Sequence, residues 1–132
     1  MKGAYVLLIE VNQDLKVKKF EIQKGFYFYV GSALGKSINL ENRVSRHFKK
    51  EKRLKWHIDF LLAHPKTNLK KVLLIPSEQK LECKISNLLQ TKTQNSIKGF
   101  GCSDCKCFSH LHGVKNEEKA TKIFLTLSRS LT

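Results

Sequence analysis

Two apolar runs near the start of the chain, "AYVLLIEV" at residues 4–11 and "FYFYV" at residues 26–30, are separated by one alternating stretch. Both runs are rich in β-branched and aromatic residues and read as buried strands. Asn12, Gln13 and Asp14 mark a turn after the first run. "LKVKKFEI" (15–22) alternates apolar and charged residues, as a half-exposed strand does. Lys24-Gly25 then turns the chain into the third run. Connections this short exclude a parallel crossover, so the three segments are expected to form an antiparallel meander.

Helical patterns follow. A small-residue loop runs from Gly31 to Ile38, and Ser37 or Asn39 can cap the next helix. That helix is expected over residues 39–50, with Leu40, Val44 and Phe48 as its apolar stripe. Arg43 and His47 lie on the flank of the stripe, and Arg46 further round. A second helix is expected from Trp56 to Ala63, ending before Pro65. "KVLLIP" (71–76) reads as another buried strand. Residues 77–90 read as a helix capped by Ser77, with Leu81, Ile85, Leu88 and Leu89 on its apolar side and Glu82 beside them. Residues 91–115 read as a structured loop. Ala120, Ile123, Phe124, Leu127 and Leu131 recur at helical spacing in a terminal helix. The expected class is α+β, sandwich-like: a small three-stranded antiparallel sheet flanked by helices. Residues 1–115 would form the domain, including a Cys-rich loop at 99–112, with the amphipathic helix at 116–132 packed on the same body.

Composition narrows the functional classes. Apolar residues make up 41% of the 132, enough for a real core and too many for a disordered chain. No run approaches the ~18 apolar residues of a membrane span. The N-terminal segment lacks the pattern of a signal peptide, which points to the cytoplasm. Lys and Arg number 25 against 11 acidic residues, a net charge of +14. A field of that sign attracts polyanions, and nucleic acid is the expected partner. A lysine-rich surface that only keeps the protein soluble is the plain alternative.

Phosphodiester cleavage needs a deprotonated water, a cation against the phosphoryl charge and a stabilised leaving oxygen. The chain holds a matching set. "GAY" at 3–5, "YVG" at 29–31, Arg43, His57 in "KWHIDFLL" and Glu82 occur in the order of the GIY-YIG nucleases, which the sequence resembles. Together with "GFGCSDCKCFSHL", these segments resemble a branch of short GIY-YIG-like proteins, whose domain is also found fused to an endonuclease III type glycosylase. The resemblance covers roughly residues 1–112.

The resemblance implies a metal-dependent DNA nuclease acting in repair or processing, with a DNA-repair glycosylase as a further partner. Tyr5 would activate the attacking water, as phenolate or through a proton relay. Tyr29 would support it. Only one of Tyr27 and Tyr29 is expected to face the site, and Tyr29 is assigned. Arg43 would bind the scissile phosphate, and His57 would hydrogen-bond a tyrosine or the phosphate. Glu82 would bind Mg²⁺ or Mn²⁺. Gly31 would let the backbone approach the phosphate, with Ser32, Arg46 and His47 as further nucleic-acid contacts. Ala4 replaces the usual Ile, and Ser103 and Asp104 occupy a stretch where many members carry Asn. The competing reading is a nucleic-acid-binding module that keeps the fold without cutting.

Cys102, Cys105, Cys107 and His110 offer soft and borderline ligands at spacings that suit Zn²⁺. Consecutive tight spacing strains a tetrahedron, however. A compact loop with its cysteines buried as small apolar residues is the alternative.

Overall fold

In the computed structural model, residues 1–33, 39–49, 54–102 and 105–131 are described. Strand β1 (Gly3–Val11) is buried along nearly its whole length. A strand covered on both faces needs apolar side chains at every position, which is why its sequence does not alternate. Tyr5, Leu7, Ile9 and Val11 enter one core, and Ala4, Val6 and Leu8 enter a second.

The segment 15–22 does not lie between the two long runs. It splits into β2 (Leu15–Val17) and β3 (Phe20–Ile22), which pair only with each other. Lys18, at φ 56°, sits in the turn between them. The apolar phase already shifts there, from Leu15 and Val17 to Phe20 and Ile22, so one continuous strand would send half the set to solvent. With this hairpin set aside, β1 pairs directly with β4 (Gly25–Ala33), Tyr5 opposite Gly31. Its other edge pairs with β5 (Thr67–Pro76), longer than the expected 71–76.

The expected loop at 91–115 contains two further strands, β6 (Asn95–Ser96) and β7 (Leu111–Val114). The result is a five-stranded antiparallel sheet of order β5-β1-β4-β7-β6, larger than the three strands expected. β7 escaped notice because "LHGV" is short and centred on a glycine. That glycine has a steric reason: a Cβ on Gly113 would come to 2.5 Å of the Tyr27 ring from the neighbouring strand.

Helices cover both faces. α1 (Leu40–Phe48) starts at Asn39, whose side chain accepts from the Asn42 N–H at 2.9 Å. α2 spans His57–Ala63. Together with the hairpin they bury Leu40, Ile58, Leu61, Leu62 and Phe20 against the first face. α3 (Glu82–Lys92) and α4 (Glu117–Leu131) bury Ile85, Leu89, Ile123, Phe124 and Leu127 against the second. Each such side chain contributes on the order of 1.5–3 kcal/mol by leaving water. α3 begins five residues later than the expected 77; the Ser77 hydroxyl instead accepts from the Gln79 N–H in the preceding turn. Ser37 lies outside the described residues. None of the described helices is long and apolar enough to cross a membrane.

Candidate active site

The pairing of Tyr5 with Gly31 decides the floor of the site. A Cβ on Gly31 would run into the Tyr5 hydroxyl and Cζ, and would lie 2.8 Å from Cε2. The glycine therefore makes room for the tyrosine ring. Behind the ring, the Tyr5 hydroxyl meets His47 Nε2 at 2.6 Å. His47 is only 3% exposed, because it continues the inward line of Leu40 and Val44 on α1. Phe48, expected on that line, is 58% exposed. His47 is thus a partner of Tyr5 and not a surface contact to nucleic acid.

Tyr27 and Tyr29 share a face, as residues two apart on a strand must. What separates them is distance along β4: Tyr27 bonds the Gln23 carbonyl at the far end, while Tyr29 lies beside His47 and Phe100. Burial pushes the Tyr5 phenol well above its usual range, with Arg43 opposing. It raises Tyr29 too, with Tyr5 adding to the effect. Both shifts favour the neutral phenol in the resting site.

Arg43 and Arg46 separate in role. Arg46 makes a two-pronged bond to the fully buried Asp59, Nη1–Oδ1 2.6 Å and Nη2–Oδ2 2.9 Å. Asp59 also accepts from the backbone N–H groups of Lys55 and Trp56, at 2.9 and 2.8 Å. Burial disfavours its charge, yet Arg46 and the two amides hold its carboxyl below the usual range. Arg46 thus fixes the start of α2 against α1. Both guanidinium groups stack on Trp56, at 4.3 Å for Arg43 and 4.4 Å for Arg46. The indole thus fixes the direction of Arg43.

His57 opens α2 and accepts the Gly101 N–H through Nδ1 at 2.9 Å. An amide can only donate, so Nδ1 carries the lone pair and the neutral ring holds its proton on Nε2. Burial, then Lys19 and Lys18, keep His57 below the usual histidine range. Its ring packs on Phe20 and Phe100.

These side chains share one open cavity of about 430 Å³. Tyr5, Tyr29, Gly31, Ser32, Arg43, His57 and Glu82 all line it, together with Lys55, Trp56 and Gly101. Glu82 reaches it although the body of α3 packs on the opposite face of the sheet from Tyr5. The pairing of β7 with β4 ends at Tyr29↔Leu111, so β7 does not screen Gly31 and Ser32 from the start of α3. Lys55 and Trp56 were legible as a cation beside an aromatic, immediately before His57. Gly101 carried no comparable signal. Ser103 and Asp104 lie outside the described residues.

A family model, the domain of unknown function DUF123, matches residues 4–132. The chain belongs to the DUF123 family. No curated protein and no solved structure matches it.

A second cluster of this DUF123 chain adjoins the cavity. Cys83, Cys105, Cys107 and His110 present ligand atoms that all lie within 4.8 Å of one another, a set able to hold a metal ion. Cys83 replaces Cys102 in the expected set. Cys102 follows the turn at Gly101 (φ 74°), and its thiol donates to the Phe100 carbonyl at 3.4 Å. Burial, reinforced by Cys105, pushes the Cys102 thiol up to about 12. For Cys105 burial is overcome by bonds from Cys107 and His110, which bring it down to about 7.

Proposed function

We propose that this DUF123 domain is a divalent-metal-dependent nuclease that hydrolyses phosphodiester bonds in DNA, in repair or processing. One observation carries the reading. Tyr5, Tyr29, Arg43, His57 and Glu82, contributed by β1, β4, α1, α2 and α3, line a single cavity. Their order along the chain is that of the GIY-YIG nucleases. The net charge of +14 supports a polyanionic substrate.

Glu82 would hold the metal, Mg²⁺ or Mn²⁺. Among the described residues it is the carboxylate lining the cavity, and its side chain is 29% exposed. A single hard oxygen ligand facing an open space suits an ion that keeps most of its waters. Bound there, such an ion would neutralise charge on the leaving oxygen.

The chain's own groups supply the rest. Water attacks phosphorus and gives its proton to the Tyr5 oxygen while the phenolic proton passes to His47 Nε2; the P–O bond to the leaving sugar oxygen breaks, and that oxygen takes a proton from solvent. The 2.6 Å bond between them is a ready path, and a relay of this kind needs no phenolate in the resting state. Tyr29 borders the same floor. Arg43, braced on Trp56, meets the negative charge of the transition state. His57 offers the proton on Nε2 to a phosphoryl oxygen, and Lys55 adds positive charge.

The test is a cleavage screen on labelled duplex, branched and single-stranded DNA and on RNA, with Mg²⁺ or Mn²⁺ and with EDTA. Metal-dependent scission that is lost in Arg43→Ala is the expected result. Tight, salt-sensitive binding with no scission of any substrate would leave a nucleic-acid-binding module instead. A pull-down with an endonuclease III type glycosylase examines the proposed partner.

A further inference from the structure

We propose that Cys83, Cys105, Cys107 and His110 bind a structural Zn²⁺ ion, and that this ion holds the Glu82 carboxylate in the cavity. The second clause rests on the nuclease reading; the first does not.

The ligand set comes from two separated segments, which removes the strain of a purely consecutive cluster. Cys83 stands in the first turn of α3, and the other three lie within residues 105–110. Sulfur–sulfur separations are 3.0 Å for Cys83–Cys107 and 3.3 Å for Cys105–Cys107. His110 Nε2 is 3.1 Å from Cys105 Sγ and 2.8 Å from Cys107 Sγ. A tetrahedron with Zn–S of about 2.3 Å and Zn–N of about 2.0–2.1 Å has ligand atoms roughly 3.4–3.8 Å apart. The four atoms need only small rotations to surround an ion.

His110 supplies an independent argument. It is 1% exposed, and its Nδ1 lies 2.9 Å from the Val30 carbonyl. A carbonyl only accepts, so Nδ1 carries the proton. The Nε2 lone pair is thereby aimed at the thiols, the tautomer a metal-ligating histidine needs. A buried imidazole fixed in that tautomer by a backbone oxygen, with three sulfurs around its free nitrogen, is arranged for a soft cation. Binding would release the thiol protons to solvent.

The consequence for the cavity follows from sequence adjacency. Glu82 precedes Cys83, and its carboxylate lies 3.7 Å from His110 Nδ1. Glu82 is therefore tied to the cluster through the backbone, with the His110 ring beside its carboxylate. Val30, which anchors His110, precedes Gly31 of the cavity floor. Loss of the ion would free the first turn of α3 from the 105–110 segment and let Glu82 swing away.

Protein purified without chelator is assayed for zinc by plasma mass spectrometry, and for Co²⁺ exchange by absorption spectroscopy. A stoichiometric amount of zinc and the strong bands of tetrahedral thiolate-bound cobalt are expected. Cys83→Ser and Cys107→Ser should lose both signals, and Cys102→Ser should keep them. Mn²⁺ binding, followed by electron paramagnetic resonance, should weaken about tenfold or more when zinc is stripped, as when an outer-shell support is removed. Added Zn²⁺ should restore it, and Glu82→Gln should weaken it further, beyond the loss on stripping, while zinc stays bound. Zinc-free protein with free thiols, a Cys83–Cys107 disulfide, or full zinc retention in Cys83→Ser would overturn the ligand set. Unchanged Mn²⁺ affinity after zinc removal would overturn the coupling. If Cys83→Ser does not fold, the zinc content and cobalt spectrum of the parent protein still decide. These readouts use no nucleic acid, so a failed cleavage screen leaves the zinc result standing.

Discussion

Replacing Gly31 by alanine is the sharpest test of how the cavity floor is built. The new Cβ would overlap the Tyr5 hydroxyl and Cζ and lie 2.8 Å from Cε2. Comfortable carbon contacts need about 3.5–4.0 Å, so the ring must retreat by roughly 1 Å or more. Its escape is limited, because Tyr5 is 1% exposed and His47 lies behind it at 2.6 Å. Overpacking of this kind costs about 1–3 kcal/mol. Breaking the Tyr5–His47 bond leaves buried polar atoms unpaired, for about 1–3 kcal/mol more. A loss of about 2–5 kcal/mol is expected, read as a shift of the urea midpoint at unchanged slope. In a Tyr5→Phe background the bond is already gone, so Gly31→Ala should cost less there than in the parent. A change below about 0.5 kcal/mol, or strict additivity with Tyr5→Phe, would refute the account.

Glu82→Gln and Arg43→Ala should each slow cleavage by about 100- to 1,000-fold, since each group acts on charge that develops in the transition state. DNA affinity, spread over many lysines, should stay within about threefold in gel-shift titrations; excess Mn²⁺ should partly rescue Glu82→Gln and not Arg43→Ala. Log affinity for DNA should fall linearly with log salt, and a flat line would reduce the +14 charge to a solubility device. Asp59, whose folded carboxyl is held below the usual range, stabilises the fold at pH values above its unfolded value of about 3.9. That contribution should fade as pH falls through the folded value. Asp59→Ala, which removes the shared acceptor of Arg46 and of the Lys55 and Trp56 amides, should cost about 1–3 kcal/mol near pH 7 and flatten this acid limb in denaturation curves.

The cavity was more legible in the sequence than the sheet that carries it. Tyr5, Tyr29, Arg43, His57 and Glu82 were picked out together by the resemblance to the GIY-YIG nucleases, while local patterns, an apolar run or a stripe, gave only the elements that carry them. The same local patterns say nothing about which partner a buried residue finds. His47 shares the inward spacing of Leu40 and Val44, but its partner appears only once Tyr5 arrives from another element. Arg46 reads like Arg43 until Asp59, 13 residues on, claims it. The hairpin at 15–22 was within reach, because the apolar phase shifts at Lys18 and Lys19. β7 was not, since a four-residue strand centred on Gly113 is set by the Tyr27 ring across from it. Cys83 lies more than 20 residues before Cys105, Cys107 and His110 and meets them only through folding.

The place of β7 also sets a timetable for synthesis. It covers an edge of β4 that the ribosome makes long before, and His110 bonds Val30 from 80 positions downstream. β1, β4 and β5 can assemble as the chain emerges, because β5 ends at Pro76. Until residues 111–114 leave the tunnel, β4 offers its free edge as a template for other strands. The 105–110 segment emerges immediately before β7, so the Cys83 cluster would also be completed late in synthesis. Translational pausing or truncation upstream of β7 would then yield a fragment with an uncovered β4 edge, prone to aggregate.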